Sequence, residues 1–216
     1  MISQKNVIAI LHALKRRYPK GQRPWARRSD PFRTLVGTIL SAQTTDDQVD
    51  RVTPGLFKRY PTAAKLSTAK RRDVERIIKS VGLHQAKAKN IIAASRLIVD
   101  EFKGKVPPTR DELVSLPGVG RKTANVVLIK AFGEPAMPVD THVFRVARRI
   151  GLSDGKTPEK VEADLVRIIP RRQLAAAHFW LIHHGRTLCS ARNPRCSECP
   201  IAPWCAYTKG IRRSFL

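Results

Sequence analysis

The chain has 216 residues, 42% of them apolar, enough for a real core and too many for a disordered polypeptide. Lys and Arg number 41 against 17 Asp and Glu, a formal charge of +24; so large a surplus repels itself in a compact fold, and nucleic acid is the usual partner that relieves it. The first apolar stretch, Val7 to Leu14, is interrupted by His12 and followed by Lys15-Arg16-Arg17, which argues against a membrane span or a cleaved leader, so an intracellular protein of the cytoplasm or nucleoid, with reduced thiols and no membrane partner, is expected.

Helical periodicity runs through nearly the whole chain. Val7, Ile8, Leu11 and Leu14 recur at helical spacing. Ser29-Asp30-Pro31 reads as a helix start, with Asp30 as cap and Pro31 at the first helical position. Phe32, Leu35, Val36, Ile39 and Leu40 line the face that follows. A further helix is expected from Asp46 toward Tyr60, kinked or split by Pro54. Two more are expected over Ala69 to Lys79 and Ala86 to Phe102, separated by Val81-Gly82-Leu83-His84. Thr109-Arg110-Asp111-Glu112 has the form of a capping box. Arg121 to Phe132 follows and is closed by Gly133. Asp140 opens a helix that stops at Gly151, Thr157-Pro158 opens another that stops near Pro170, and a last long helix covers about Arg172 to His184. No alternating run is long enough for a sheet, so the fold class is all-α. The loop Gly133 to Pro138 is the best candidate domain boundary.

Three features carry chemistry. The four cysteines fall in one segment as C-x6-C-x2-C-x5-C, at Cys189, Cys196, Cys199 and Cys205. Thiolates this close suit one compact metal centre, and the spacing alone leaves a [4Fe–4S] cluster and a zinc ion about equally matched. Arg192, Arg195 and Lys209 add positive charge to that loop. Leu116-Pro117-Gly118-Val119-Gly120-Arg121-Lys122-Thr123 is the second feature. Pro117 ends one helix, Gly118 and Gly120 permit a tight turn in conformations barred to other residues, and the next helix starts with free N–H groups that suit a phosphate. Lys122 stands just inside that helix, where it either neutralises a phosphate or attacks a sugar carbon to form a Schiff base. The third is Asp140, which fits an N-cap and equally a carboxylate that stabilises oxocarbenium-like charge. His142 beside it is either core or the wall of a polar pocket.

Taken together, Leu40-Ser41-Ala42-Gln43-Thr44-Thr45-Asp46, Val81-Gly82-Leu83, Leu116 to Ala124, Val139 to Val146 and Cys189 to Cys205 resemble the endonuclease III branch of the helix–hairpin–helix DNA glycosylases. The pieces stand in the family's order and span most of the chain. The resemblance implies two helical lobes, a six-helix lobe with the hairpin over residues 24–133 and an iron–sulfur lobe from 1–23 plus 134–216, with double-stranded DNA along the cleft between them. It implies a [4Fe–4S] cluster on Cys189, Cys196, Cys199 and Cys205. Lys122 becomes the nucleophile and Asp140 its carboxylate partner. Gly118, Gly120 and Arg121 meet the DNA backbone. Gln43 fills the gap left by an extruded nucleotide, and Leu83 wedges into the opposite strand, offsetting an unstacking cost of a few kcal/mol. Ser41, Asp46 and His142 belong to the base pocket. The implied activity is a monomeric bifunctional enzyme that removes oxidised pyrimidines and nicks abasic sites by β-elimination.

The adenine-mismatch branch of the superfamily shares the cysteine spacing but lacks the hairpin lysine. It carries a glutamate where Gly37 stands here, and it has an additional C-terminal domain, whereas this sequence ends at Leu216. Mismatch-specific thymine glycosylases also replace the lysine. A non-catalytic helix–hairpin–helix iron–sulfur DNA-binding protein, or a monofunctional one, would keep the charge, the hairpin and the cluster, but would not require Lys122 with Asp140. A basic RNA-binding protein accounts for the charge alone.

Overall fold

A computed structural model of the chain describes residues 2–19 and 30–210. Ser29, the expected boundary at residues 23/24 and the basic tail after Gly210 lie outside the described residues. Eleven α-helices and no strand occur among the described residues, and none of those helices is long and apolar enough to cross a membrane. The chain divides into two compact units, Arg27–Glu134, and Met1–Ala26 together with Pro135–Leu216.

The unit Arg27–Glu134 holds α2 (Pro31–Leu40), α3 (Asp46–Arg59), α4 (Ala63–Ser67), α5 (Arg71–Ile77), α6 (His84–Phe102), α7 (Arg110–Ser115) and α8 (Arg121–Val127). Asp30 starts α2 as expected, its carboxylate accepting from Arg33 N–H at 2.7 Å with Pro31 at the first helical position. Thr109 likewise caps α7. Pro54 does not split α3. The buried residues Val49, Val52 and Leu56 straddle it, so burial on both sides holds the helix through the one missing N–H. The helix over Ala63–Ser67 is not announced by periodicity, because five residues are too few to show a period. Beyond Val127 the chain widens into a π-helical turn, Leu128–Phe132, before Gly133 ends it at φ 71°. Lys130 sits in that turn, where burial lowers its pKa and Asp46 and Asp50 oppose the shift.

The other unit is built from α1 (Gln4–Arg17), α9 (Thr141–Ile150), α10 (Pro158–Ile168) and α11 (Leu174–Thr187), the last entered through a 3-10 turn at Arg171–Gln173. Val7, Ile10, Leu11 and Leu14 of α1 share one core with Val143, Val146, Val161, Leu165, Trp180 and Leu181. Gln4 Nε2 donates to the Ile168 carbonyl at 3.0 Å, and the Tyr18 hydroxyl meets Thr187 Oγ1 at 2.9 Å, so both ends of α1 are tied to this core. Leu11→Ala should therefore cost about 2–5 kcal/mol in denaturant unfolding of the holoprotein. A loss under about 1 kcal/mol would mean that α1 is not part of that core.

Candidate active site and iron–sulfur loop

α7 ends at Ser115, and the chain turns through Leu116, Pro117 and Gly118 toward α8. Gly118 has φ +81°, and a Cβ there would stand 2.9 Å from the Asn90 side chain of α6. Conformation and packing both demand glycine. Gly120 differs from the sequence expectation. Its backbone is extended, at φ −88° and ψ 173°, and a Cβ would meet nothing within 4 Å. Gly120 is therefore not required by the turn itself; its bare Cα leaves the start of α8 open to close approach. No side chain caps α8, so its first N–H groups face outward. Arg121 and Lys122 are both exposed there.

Ser41 ends α2, its hydroxyl donating to the Thr38 carbonyl at 2.9 Å. Gln43 follows in an exposed turn at φ 52°, and Asp46 opens α3. Leu83 is the residue before α6, also left-handed at φ 56°, and its side chain is 64% exposed. A left-handed conformation at a residue with a Cβ costs roughly 1–2 kcal/mol. Of the three non-glycine residues with positive φ among those described, Gln43 and Leu83 are two; the third, Lys103, merely closes α6. Sequence reading did not reveal Lys87, which lies buried on α6. The signal was present, since Lys87 falls on the stripe that continues through the buried Ile91, Ser95 and Ile98.

In the other unit, Asp140 is half-buried and caps α9, Oδ1 accepting from Val143 N–H at 2.8 Å. Two residues on, His142 is half-buried, its Nδ1 3.2 Å from Arg145 Nη2. The same guanidinium donates to the carbonyls of Gly185 at 2.9 Å and Cys189 at 3.0 Å. His142 is thus held on the polar side of α9, through an arginine that also grips the first cysteine's backbone.

All four cysteines are free thiols and line one cavity with Arg149, Ile150, His184 and Leu188. Among the described residues no three such groups converge on a single metal ion. Thiols spread around one cavity suit a cluster, in which each thiolate holds a different iron. Buried Arg149 donates to the Ser190 and Ala191 carbonyls, and its Nη1 lies 3.7 Å from Cys189 Sγ. The Tyr207 N–H bonds the Arg149 carbonyl at 3.1 Å, fastening the far end of the loop to α9. Burial pushes the Cys189 thiol up and that of Cys199 up to about 11. Thiolates here need a cationic iron centre, whose binding releases their protons. His184 is driven down to about 4, first by burial and then by Arg17, so it stays neutral, with Nε2 3.6 Å from Cys199 Sγ and Nδ1 3.2 Å from the Tyr18 hydroxyl. The donor set and its buried setting fit an iron–sulfur cluster.

An all-α chain with a glycine hairpin opening onto an uncapped helix, and a four-thiol loop beside an Asp-capped one, defines a helix–hairpin–helix DNA-repair protein with an iron–sulfur centre. Residues 36–171 match the HhH-GPD superfamily of base excision DNA repair proteins, and residues 189–205 match the iron–sulfur binding domain of endonuclease III. The chain is 51% identical over 176 residues to an endonuclease III of Rickettsia felis, covering 82% of this chain and 83% of that one. It is 48% identical to an endonuclease III of Synechocystis over 91% of this chain and 90% of the other. A solved structure of a trapped endonuclease III–DNA covalent intermediate superposes with a TM-score of 0.88 at 38% identity, covering 97% of this chain and 99% of that chain. The chain belongs to the endonuclease III family and carries a [4Fe–4S] cluster, its iron–sulfur binding segment being residues 189–205, which contain the four cysteines.

The two hairpin glycines should separate by experiment. Gly118→Ala should lower unfolding stability by about 1–3 kcal/mol, from the strained φ and the collision with Asn90. Gly120→Ala should leave it within about 0.5 kcal/mol while weakening DNA binding in a filter or anisotropy assay. Equal stability losses would refute the distinction.

Proposed function

We propose that this chain excises oxidised pyrimidines from double-stranded DNA and nicks the abasic site it creates, acting as a monomer in the cytoplasm or nucleoid. The observation that carries the residue roles is the exposed Lys122 at the start of a helix that no side chain caps. Phosphate held by the N–H groups behind Gly118 and Gly120, with Arg121 beside it, fixes the strand next to that amine. Gln43 and Leu83 stand in for the extruded nucleotide and hold the duplex open. Ser41, Asp46 and His142 receive the base.

Lys122 Nζ, as the free amine, attacks C1′ of the deoxyribose as the C1′–N bond breaks and the base leaves with its electron pair. Lys122 is exposed in the free protein, so desolvation of its amine falls to the bound DNA. Asp140 stabilises the positive charge that builds on the sugar. Its cap bond to Val143 fixes the carboxylate while the other oxygen stays available. Ring opening gives a protonated imine, loss of a C2′ proton expels the 3′ phosphate, and water releases Lys122. The cluster's part is to hold the loop 189–205 in shape.

Borohydride trapping on a duplex with one abasic site or thymine glycol tests this. Wild type should give a covalent adduct and Lys122→Ala none. Asp140→Asn separates capping from chemistry, because asparagine caps as well as aspartate. It should melt like wild type and lose roughly a hundredfold or more in single-turnover base excision. No adduct from wild type, with DNA binding intact, would overturn the lyase assignment.

A further inference from the structure

Gln43 and Leu83 are both held in a backbone conformation that their side chains disfavour, so something must impose it. One residue touches both turns. The buried Lys87 directs its three ammonium donors to the Leu40 carbonyl at 2.8 Å, the Ala42 carbonyl at 2.6 Å and Thr44 Oγ1 at 2.7 Å. These acceptors bracket Gln43 on both sides. The backbone N–H of the same lysine donates to the Leu83 carbonyl at 3.0 Å. The turns also abut directly, since a Cβ at Gly82 would stand 3.4 Å from the Gln43 carbonyl oxygen and 3.6 Å from Thr44 Oγ1.

A lysine buried for packing alone would extend its amine to solvent along its flexible stem. Here burial lowers the amine's pKa, and every donor is spent on the carbonyl-rich end of α2 and the turn beyond it, where positive charge is favoured. Farther along α6, Asn90 lies against hairpin Gly118. Leu83, Lys87 and Asn90 follow one another at i, i+4 and i+7, so a single helix stripe bears on the wedge, the plug and the hairpin.

We infer that Lys87 is a positioning residue that locks the Gln43 turn to the Leu83 turn, presenting the two DNA-inserting side chains as one preformed tool. This rests on the roles proposed above for Gln43 and Leu83. Filling a gap and wedging a partner strand matter only when a partner strand exists. The loss on removing the ammonium should therefore fall on duplex substrates and spare single strands.

The test compares holoprotein wild type and Lys87→Met in borohydride trapping on an abasic site in duplex and in single-stranded DNA. It adds the fluorescence of a 2-aminopurine placed next to a tetrahydrofuran abasic analogue in the duplex. Lys87→Met should trap roughly tenfold or more slowly on duplex, within about threefold of wild type on the single strand, and should lose most of the unstacking signal. Lys87→Arg, which keeps the charge and donors, should recover part of it. Equal losses on both substrates would reduce Lys87 to a scaffold residue and overturn the inference, as would no loss on either. If Lys87→Met does not fold, Thr44→Val decides. It removes one of the three acceptors and should show the same duplex-only loss at a smaller size, and its absence counts against the inference. No adduct from wild type on either substrate would instead remove the lyase reading on which the inference stands.

Discussion

A helix start leaves up to four backbone N–H groups without internal partners, and each must go to a side chain, to water or to a ligand. Much of this molecule follows from how that requirement is met. Ser3, Asp30, Thr62, Thr109, Asp140 and Thr157 each lend an oxygen to their helix, which fixes where α1, α2, α4, α7, α9 and α10 begin. At α8 the cap position is Gly120, which has no side chain to lend. The starts of α3, α5, α6 and α11 likewise take no side-chain cap, so what sets α8 apart is the glycine turn before it and the exposed Arg121 and Lys122 in its first turn. At α9 the cap is Asp140, whose Oδ1 accepts from the Val143 N–H at 2.8 Å.

The same contrast explains what was legible in the sequence. Caps, closing glycines and a tight cysteine spacing are local signals, and Asp30, Thr109, Thr157, Gly133 and Gly151 mark helix ends as read. The family motifs decided between a [4Fe–4S] cluster and zinc on the four cysteines, because several short strings in fixed order are specific where each alone is not. Features set by tertiary packing stayed hidden. Pro54 is a breaker by propensity, and only the burial of Val52 and Leu56 on its two sides overrules it. The π turn at Leu128–Phe132 has no compositional mark. Gly118 and Gly120 look equivalent as letters, yet only Gly118 meets a neighbour, and that neighbour is 28 positions away in sequence, at Asn90.

Charge is likewise of two kinds. Part of the +24 is internal. Arg145 and Arg149 spend their donors on carbonyls of Gly185, Cys189, Ser190 and Ala191, and Lys87 spends its own on the end of α2. These cations answer to backbone dipoles and would be felt as packing defects if removed. Lys122, exposed at the start of α8, is of the other kind. Screening by salt should weaken contacts of the exposed class first, since buried pairs are shielded from it.

The contact between Gln4 and Ile168 joins residues 164 positions apart. That distance has a meaning for synthesis on the ribosome. The segment Arg27–Glu134 is continuous and can collapse as soon as it emerges, while α1, made before it, has no core to join until α9, α10 and α11 exist. At about 5–20 residues per second it waits roughly 10–30 s without its partners, and its 14 residues are too few to make a stable helix alone. The thiols that take iron arrive later still, behind α11. The residues of α1 are thus synthesised ahead of the rest of the core they join, and the cysteine loop follows only after α9, α10 and α11.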